Sequence, residues 1–501
     1  MRAEYEKCAR QMREIAALAQ TAGLLSWDQE AMMPERAIEA RAKQSEAISA
    51  AIHEKLTDRE LGDSLLSLAS DPAGLAEDER VCVREWLRDH EKSAKLPEAL
   101  VRELASTASL SQEAWARART RRDFSIFSPW LEKTVDLKRR QAECMGYALS
   151  PYDALLDDYE PHMTCAALSP LMENLRLELV PMVAAIADSK RRIAALPIGR
   201  KFPEAAQEKL SREVMAALGL DLRAARLDRS AHPFCCGMAP TDVRITTRYD
   251  ERLFTQSLYG VIHESGHALY EQGLPEERMG TPLCEAVSLG IHESQSRFWE
   301  NVVGRSMPFV RFILPRLRRA FGSSMRGVRA DAFYRAINRV EPSLIRVEAD
   351  EVTYNLHVVL RYEIEKALIE GDVSVAELPA LWNERMKAYM GLVPEDDSQG
   401  LMQDIHWSAG LFGYFPTYAL GNLYSAQWWN AIKKDVRGTD AKIAAGEFGP
   451  ILAWLRKNIH RHGRRYSASE LVLKATGEPL GAGHFTGYLR KKFGDIYGIR
   501  W

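Results

Sequence analysis

His263 and His267 stand four residues apart in VIHESGHALY (261–270), with Glu264 beside the first. Side chains at i and i+4 of a helix share one face, so these two imidazoles can share one metal ion. Glu264 lies about 100° around the helix from His263. It is near the ligand face but off it, which suits a base that takes a proton from a metal-activated water without binding the metal. The alternative is two histidines on an ordinary helix, which HExxH alone does not exclude. A catalytic zinc takes three protein ligands and keeps one position open. GIHESQSRFW (290–299) repeats the letters HES, with Ser296 where a second histidine would stand. Glu293 is the leading third ligand, and Glu285 and His292 are alternatives on the same stretch.

Two helices must present these groups. RLFTQSLYGVIHESGHALYEQG has apolar faces at Leu258, Val261, Ile262, Ala268 and Leu269, and a stop at Gly273. Gly266 inside that helix costs about 1 kcal/mol against alanine, so something is expected to pack closely there. EAVSLGIHESQSRFWENVVG reads as the second helix. The turn QGLPEERMGTPL between them allows it to fold back antiparallel.

HESGH followed by IHESQSR resembles the thermostable zinc metallocarboxypeptidases, the carboxypeptidase Taq family. Further stretches carry the resemblance along nearly the whole chain. They are HPF (232–234) leading into DVRIT (242–246), IRVEAD (345–350), GLMQDIHWSAGLFGYFPTYALGN (400–422), LLSWDQEAMMP (24–34) and YDALLDDYEP (152–161). The resemblance implies a mainly helical zincin with a deep substrate groove, similar to neurolysin and angiotensin-converting enzyme. It implies release of single C-terminal residues with broad specificity, and a homodimer. It makes His263, His267 and Glu293 the zinc ligands and Glu264 the general base; Co2+ is able to substitute, since ligand type alone does not fix the metal. The chain departs from the family pattern at His162 and Cys284, where glycine is common.

An exopeptidase must also hold a free carboxylate, and arginine does so through charge-assisted, often bidentate bonds. Arg244 and Arg346 are the candidates, although either one could serve a structural salt bridge. A developing oxyanion needs a donor; Tyr414 is favoured, with Tyr418 and His406 as alternates. His232, made extended by the proline after it, is a candidate groove residue. The rival readings are a dipeptidyl carboxypeptidase or oligopeptidase on the same scaffold, and an inactive helical peptide-binding protein.

The bulk properties set the frame. The chain has 501 residues, 46% hydrophobic and 27% charged, with 67 Lys+Arg against 69 Asp+Glu. The balance gives no basic excess that would suggest nucleic acid. No stretch approaches the ~20 apolar residues of a membrane span, and the start lacks the apolar core of a signal peptide. Seven dispersed cysteines without a CxxC pair fit a reducing cytoplasm. Helical periodicity dominates, for example in 5–25, 171–196 and 349–372. The best strand is DVRITTRY (242–249), rich in β-branched residues. No repeat or linker divides the chain, so residues 1–501 read as one catalytic body with room for two lobes around a groove.

Overall fold

The computed structural model of the protein describes residues 1–195 and 201–501. The sequence also carries a turn cluster at 196–204, which lies partly outside the described residues, as does the last residue of the 171–196 helix reading. The first four long helices, Arg2–Ala31, Ile38–Leu56, Arg59–Ser70 and Glu77–Ala94, form an N-terminal layer. Tyr5, Cys8, Met12, Leu61, Leu65 and Trp86 make a small core there, which Leu283 joins from the centre of the chain. A second, larger core runs from Ala118 to Tyr497 and contains the elements around both HES stretches.

Three short strands form the sheet: β1 (Ala225–Arg229), β2 (Cys235–Ala239) and β3 (Asp242–Thr247). The order is β1-β3-β2, parallel between β1 and β3 and antiparallel between β2 and β3. Leu227 pairs with Ile245, and Cys236 pairs with Arg244. The expected strand at 242–249 corresponds to β3. Its partners escaped the sequence reading because ARLDR and CCGMA contain none of the β-branched or aromatic residues that mark strands.

Helix ends follow local chemistry. The periodicity at 349–372 becomes the helix Tyr354–Glu370, ended by Gly371 at φ 89°, a left-handed stop suited to glycine. It begins later than the pattern because the Asp350 carboxylate accepts the N–H groups of Val352 and Thr353 and holds a turn. The 171–196 pattern belongs to the helix Cys165–Ala187, capped by Thr164. No described helix is long and apolar enough to cross a membrane.

The HExxH helix spans Phe254–Glu271, and the Glu293 helix spans Leu289–Arg297. The second runs on into a π-helical turn, Phe298–Val303. Glu285 precedes this helix and pairs with Arg464 at 3.0 Å. The two helices are antiparallel: His263 reaches Glu300, Gly266 faces Gln295 and Ser296, and Glu271 reaches His292. A Cβ on Gly266 would stand 2.5 Å from the Gln295 carbonyl oxygen and 2.6 Å from Ser296 Cα. The glycine thus lets two backbones meet. A third helix, Phe415–Asp435, closes the group, with Gly421 against Glu293.

Candidate metal centre

His263, His267 and Glu293 converge, each offering one ligand atom within 4.8 Å of the others. Glu293 Oε2 lies 3.7 Å from His263 Nε2 and 3.4 Å from His267 Nε2. The opposite edges of the rings are fixed. His263 Nδ1 meets Glu300 Oε2 at 2.9 Å, and His267 Nδ1 meets the His292 carbonyl oxygen at 3.1 Å. Both partners are acceptors, so each Nδ1 donates and each Nε2 is turned toward Glu293, the atom a metal would take once it is unprotonated. Two imidazole nitrogens and one carboxylate suit a divalent metal of the zinc type.

The carboxylates differ by environment. Burial pushes Glu293 up, but Arg297 at 2.6 Å and the two histidines overcome it and hold it well below the usual range. Ser296, the residue that replaces a histidine in the second HES stretch, donates to Glu293 Oε2 at 2.8 Å. Burial raises Glu264 to about 7, opposed by His263 and aided by Glu293. A carboxylate with that value accepts and returns a proton near neutrality. Burial depresses His267 to about 3, whereas the carboxylates of Glu293, Glu300 and Glu264 overturn burial at His263 and raise it to about 9.

Glu300, Arg297 and Arg305 form a supporting network that sequence reasoning missed. Arg305 holds Glu300 at 3.2 Å, and Arg297 lies over the Tyr354 ring at 4.3 Å. The available signal was spacing: Glu293, Arg297 and Glu300 fall at i, i+4 and i+7, one face of a helix. The π turn then places Glu300 at His263; such turns recur at functional sites. His292 plays a supporting part through both ends, its carbonyl on His267 and its Nε2 on Glu271 Oε1 at 2.8 Å.

A second group gathers the other candidates. Tyr414 and Tyr418 have ring centroids 5.3 Å apart, and His406 Nε2 lies 3.1 Å from the Tyr418 hydroxyl. Burial, then Glu293, raises the Tyr414 phenol above its ordinary value. Arg346 is 5% exposed, 4.9 Å from the Tyr418 ring, and donates to the Tyr354 hydroxyl at 2.9 Å. Arg346 and Arg361 both pair with Asp404, at 2.9 and 2.6 Å. Two guanidinium groups thus share one carboxylate. His406 and His357 beside them are depressed to about 3 by burial and by these arginines, so both are neutral.

Arg244 belongs to β3, and His232 to the turn between β1 and β2. Arg244 makes a two-point pair with Asp242 at 3.0 and 2.9 Å and lies over Trp27 at 4.3 Å. His232 is exposed, and its carbonyl accepts the Ser230 hydroxyl. The two departures noted in the sequence separate cleanly. His162 adopts φ 68°, the left-handed region that glycine enters freely, with its N–H held by Asp157 Oδ1. Cys284 lies in the 3-10 turn Pro282–Cys284 at an ordinary φ, so it asks nothing of glycine.

A part-buried pair of histidines at helical spacing, a glutamate converging on them from a neighbouring helix and a second glutamate beside the first histidine, on a largely helical frame, have the pattern of an HExxH metallopeptidase. Residues 7–493 match the family model described as carboxypeptidase Taq (M32) metallopeptidase. The chain is 44% identical to thermostable carboxypeptidase 1 of Thermus thermophilus over 99% of both chains, and 39% identical to carboxypeptidase 1 of Bacillus subtilis over 97% of both. The crystal structure of the M32 carboxypeptidase from Deinococcus radiodurans R1 superposes with a TM-score of 0.96 at 37% identity, covering 99% of this chain and 100% of that one. The chain belongs to the carboxypeptidase Taq (M32) family. It is a metallocarboxypeptidase, a peptide hydrolase whose family uses a divalent metal.

Proposed function

We propose that this protein is a zinc carboxypeptidase that releases single C-terminal residues from peptides with broad specificity. The convergence of His263 Nε2, His267 Nε2 and a Glu293 oxygen within 4.8 Å, with Glu264 buried alongside, carries the reading. Zinc, held by these three residues, would supply Lewis-acid polarisation of the scissile carbonyl and acidify water; Co2+ would suit the same donors. Glu264 accepts the proton of the attacking water and returns it to the leaving amine. Tyr414 donates to the developing oxyanion, with Tyr418 and His406 as alternates in the same cluster.

Arg346 holds the departing carboxylate. Two arginines against Asp404 leave an excess positive charge beside Tyr418, and a substrate carboxylate offsets it. Arg244 assists from β3, and His232 lines the groove. Residues 1–501 act as one catalytic unit, working as a homodimer in the cytoplasm.

A peptide and its C-terminally amidated twin, followed by timed mass spectrometry, test the reaction. Stepwise loss of one residue from the free peptide and resistance of the amide are expected. Loss of two residues at a time, or equal cleavage of both, refutes the proposal. Glu264→Gln should retain stoichiometric metal and lower kcat by at least about 10³-fold.

A further inference from the structure

Glu160 is 0% exposed and lies outside every helix that carries a metal ligand. Its carboxylate nevertheless ends on both helices that frame Glu293. Oε2 accepts the Gly290 N–H at 3.0 Å, in the first turn of the Glu293 helix. Oε1 accepts the Tyr424 hydroxyl at 2.8 Å, on the helix Phe415–Asp435. The neighbouring Tyr159 carbonyl accepts the Leu289 N–H at 2.9 Å.

The first N–H groups of a helix have no partner within it, and a carboxylate both satisfies them and complements the helix dipole. The approach here leaves no room for adjustment. A Cβ on Gly290 would stand 2.5 Å from Glu160 Oε2, and a Cβ on Gly421 would stand 2.6 Å from Glu293 Cγ. Glu293 is thus wedged between one helix whose start Glu160 holds and another that Glu160 holds through Tyr424. The Tyr159 ring packs edge-on against Tyr414 with centroids 5.1 Å apart.

We infer that Glu160 is a positioning residue of the metal centre: its carboxylate sets where Glu293 stands against the two histidines, and with Tyr159 it ties that ligand to Tyr414. The inference rests on Glu293 being a metal ligand. The test strips wild type, Glu160→Ala, Glu160→Gln, Tyr424→Phe and His263→Ala of metal and titrates each with zinc against a chromophoric chelator. Turnover kinetics and near-ultraviolet circular dichroism are measured on the same samples.

Glu160→Ala should bind zinc at least about tenfold more weakly and lose kcat with little change in KM. Glu160→Gln keeps an acceptor for Gly290 and a partner for Tyr424, and should recover affinity to within about threefold of wild type. If the alanine variant does not fold, Tyr424→Phe decides, with an expected loss of about two- to fivefold. Alanine and phenylalanine variants that bind zinc like wild type, with only a lower Tm, overturn the inference. A wild type that binds no zinc, or a His263→Ala variant that binds as well as wild type, refutes the ligand reading instead.

Discussion

The two HES stretches use the same letters for different work, because environment decides what a carboxylate does. Arg297 and the histidines hold Glu293 ionised, whereas burial keeps Glu264 near 7. Glu160 is a third case: burial raises it to about 7 against its hydroxyl and N–H donors. Its folded state therefore holds a proton more tightly than the unfolded chain. That contribution to stability is full below about pH 4.5, the ordinary glutamate region, and is lost as the pH rises through about 7. Glu160→Gln removes it. The Tm of the variant minus that of wild type should rise between pH 5 and 7.5; a constant difference would show that Glu160 does not titrate there. Arg346 makes a separate prediction. Arg346→Gln leaves Asp404 paired with Arg361 at 2.6 Å, so the fold survives. KM for free-ended peptides should increase about 10- to 100-fold, the worth of a charged hydrogen bond, with a smaller effect on kcat.

At the scale of elements, the meeting of His263 and His267 was legible because it is local: two histidines at helical spacing meet whatever surrounds them. Glu293 was legible once the turn between the helices was short enough to fold back. Glu300 was within reach of periodicity but needed the π turn to place it, and nothing in FWENVV announces that turn. Glu160 and Asp404 were not legible, since their partners lie far along the chain and only tertiary packing joins them. Gly266 marks the opposite case, a packing contact visible as an otherwise costly residue. Gly266→Ala gains about 1 kcal/mol of helix propensity but drives a methyl into the Gln295–Ser296 backbone. The net expectation is a loss of about 1–3 kcal/mol by denaturant unfolding. Parting the helices also moves Glu293 from His267, so zinc affinity should fall about tenfold or more. An alanine variant with wild-type stability and affinity would mean that the helices do not meet there.

Across the whole molecule, the N-terminal layer and the body that carries the candidate metal centre have separate hydrophobic cores, and polar contacts do much of the joining. Arg464 is the centre of one such joint. It reaches Glu85 at 2.9 Å and Asp89 at 2.9 Å on the helix Glu77–Ala94, and Glu285 at 3.0 Å just before the Glu293 helix. Its side chain is 13% exposed and that of Glu85 only 9%, so these two charges are poorly hydrated. Removing the guanidinium leaves three carboxylates facing one another. Arg464→Met keeps the apolar stem and deletes the charge, and should destabilise the joint by about 1–3 kcal/mol, below the cost of a fully buried break because Asp89 and Glu285 remain partly solvated. Leu283 and the ion pairs of Arg465 with Glu77 and Asp78 then remain to bridge the two at this point. Hydrogen exchange should therefore accelerate in residues 2–94 at a chelator-resistant zinc content, while the helices Phe254–Glu271 and Leu289–Arg297 keep their protection. Equal acceleration in both regions would mean that the layer and the body open as one cooperative unit.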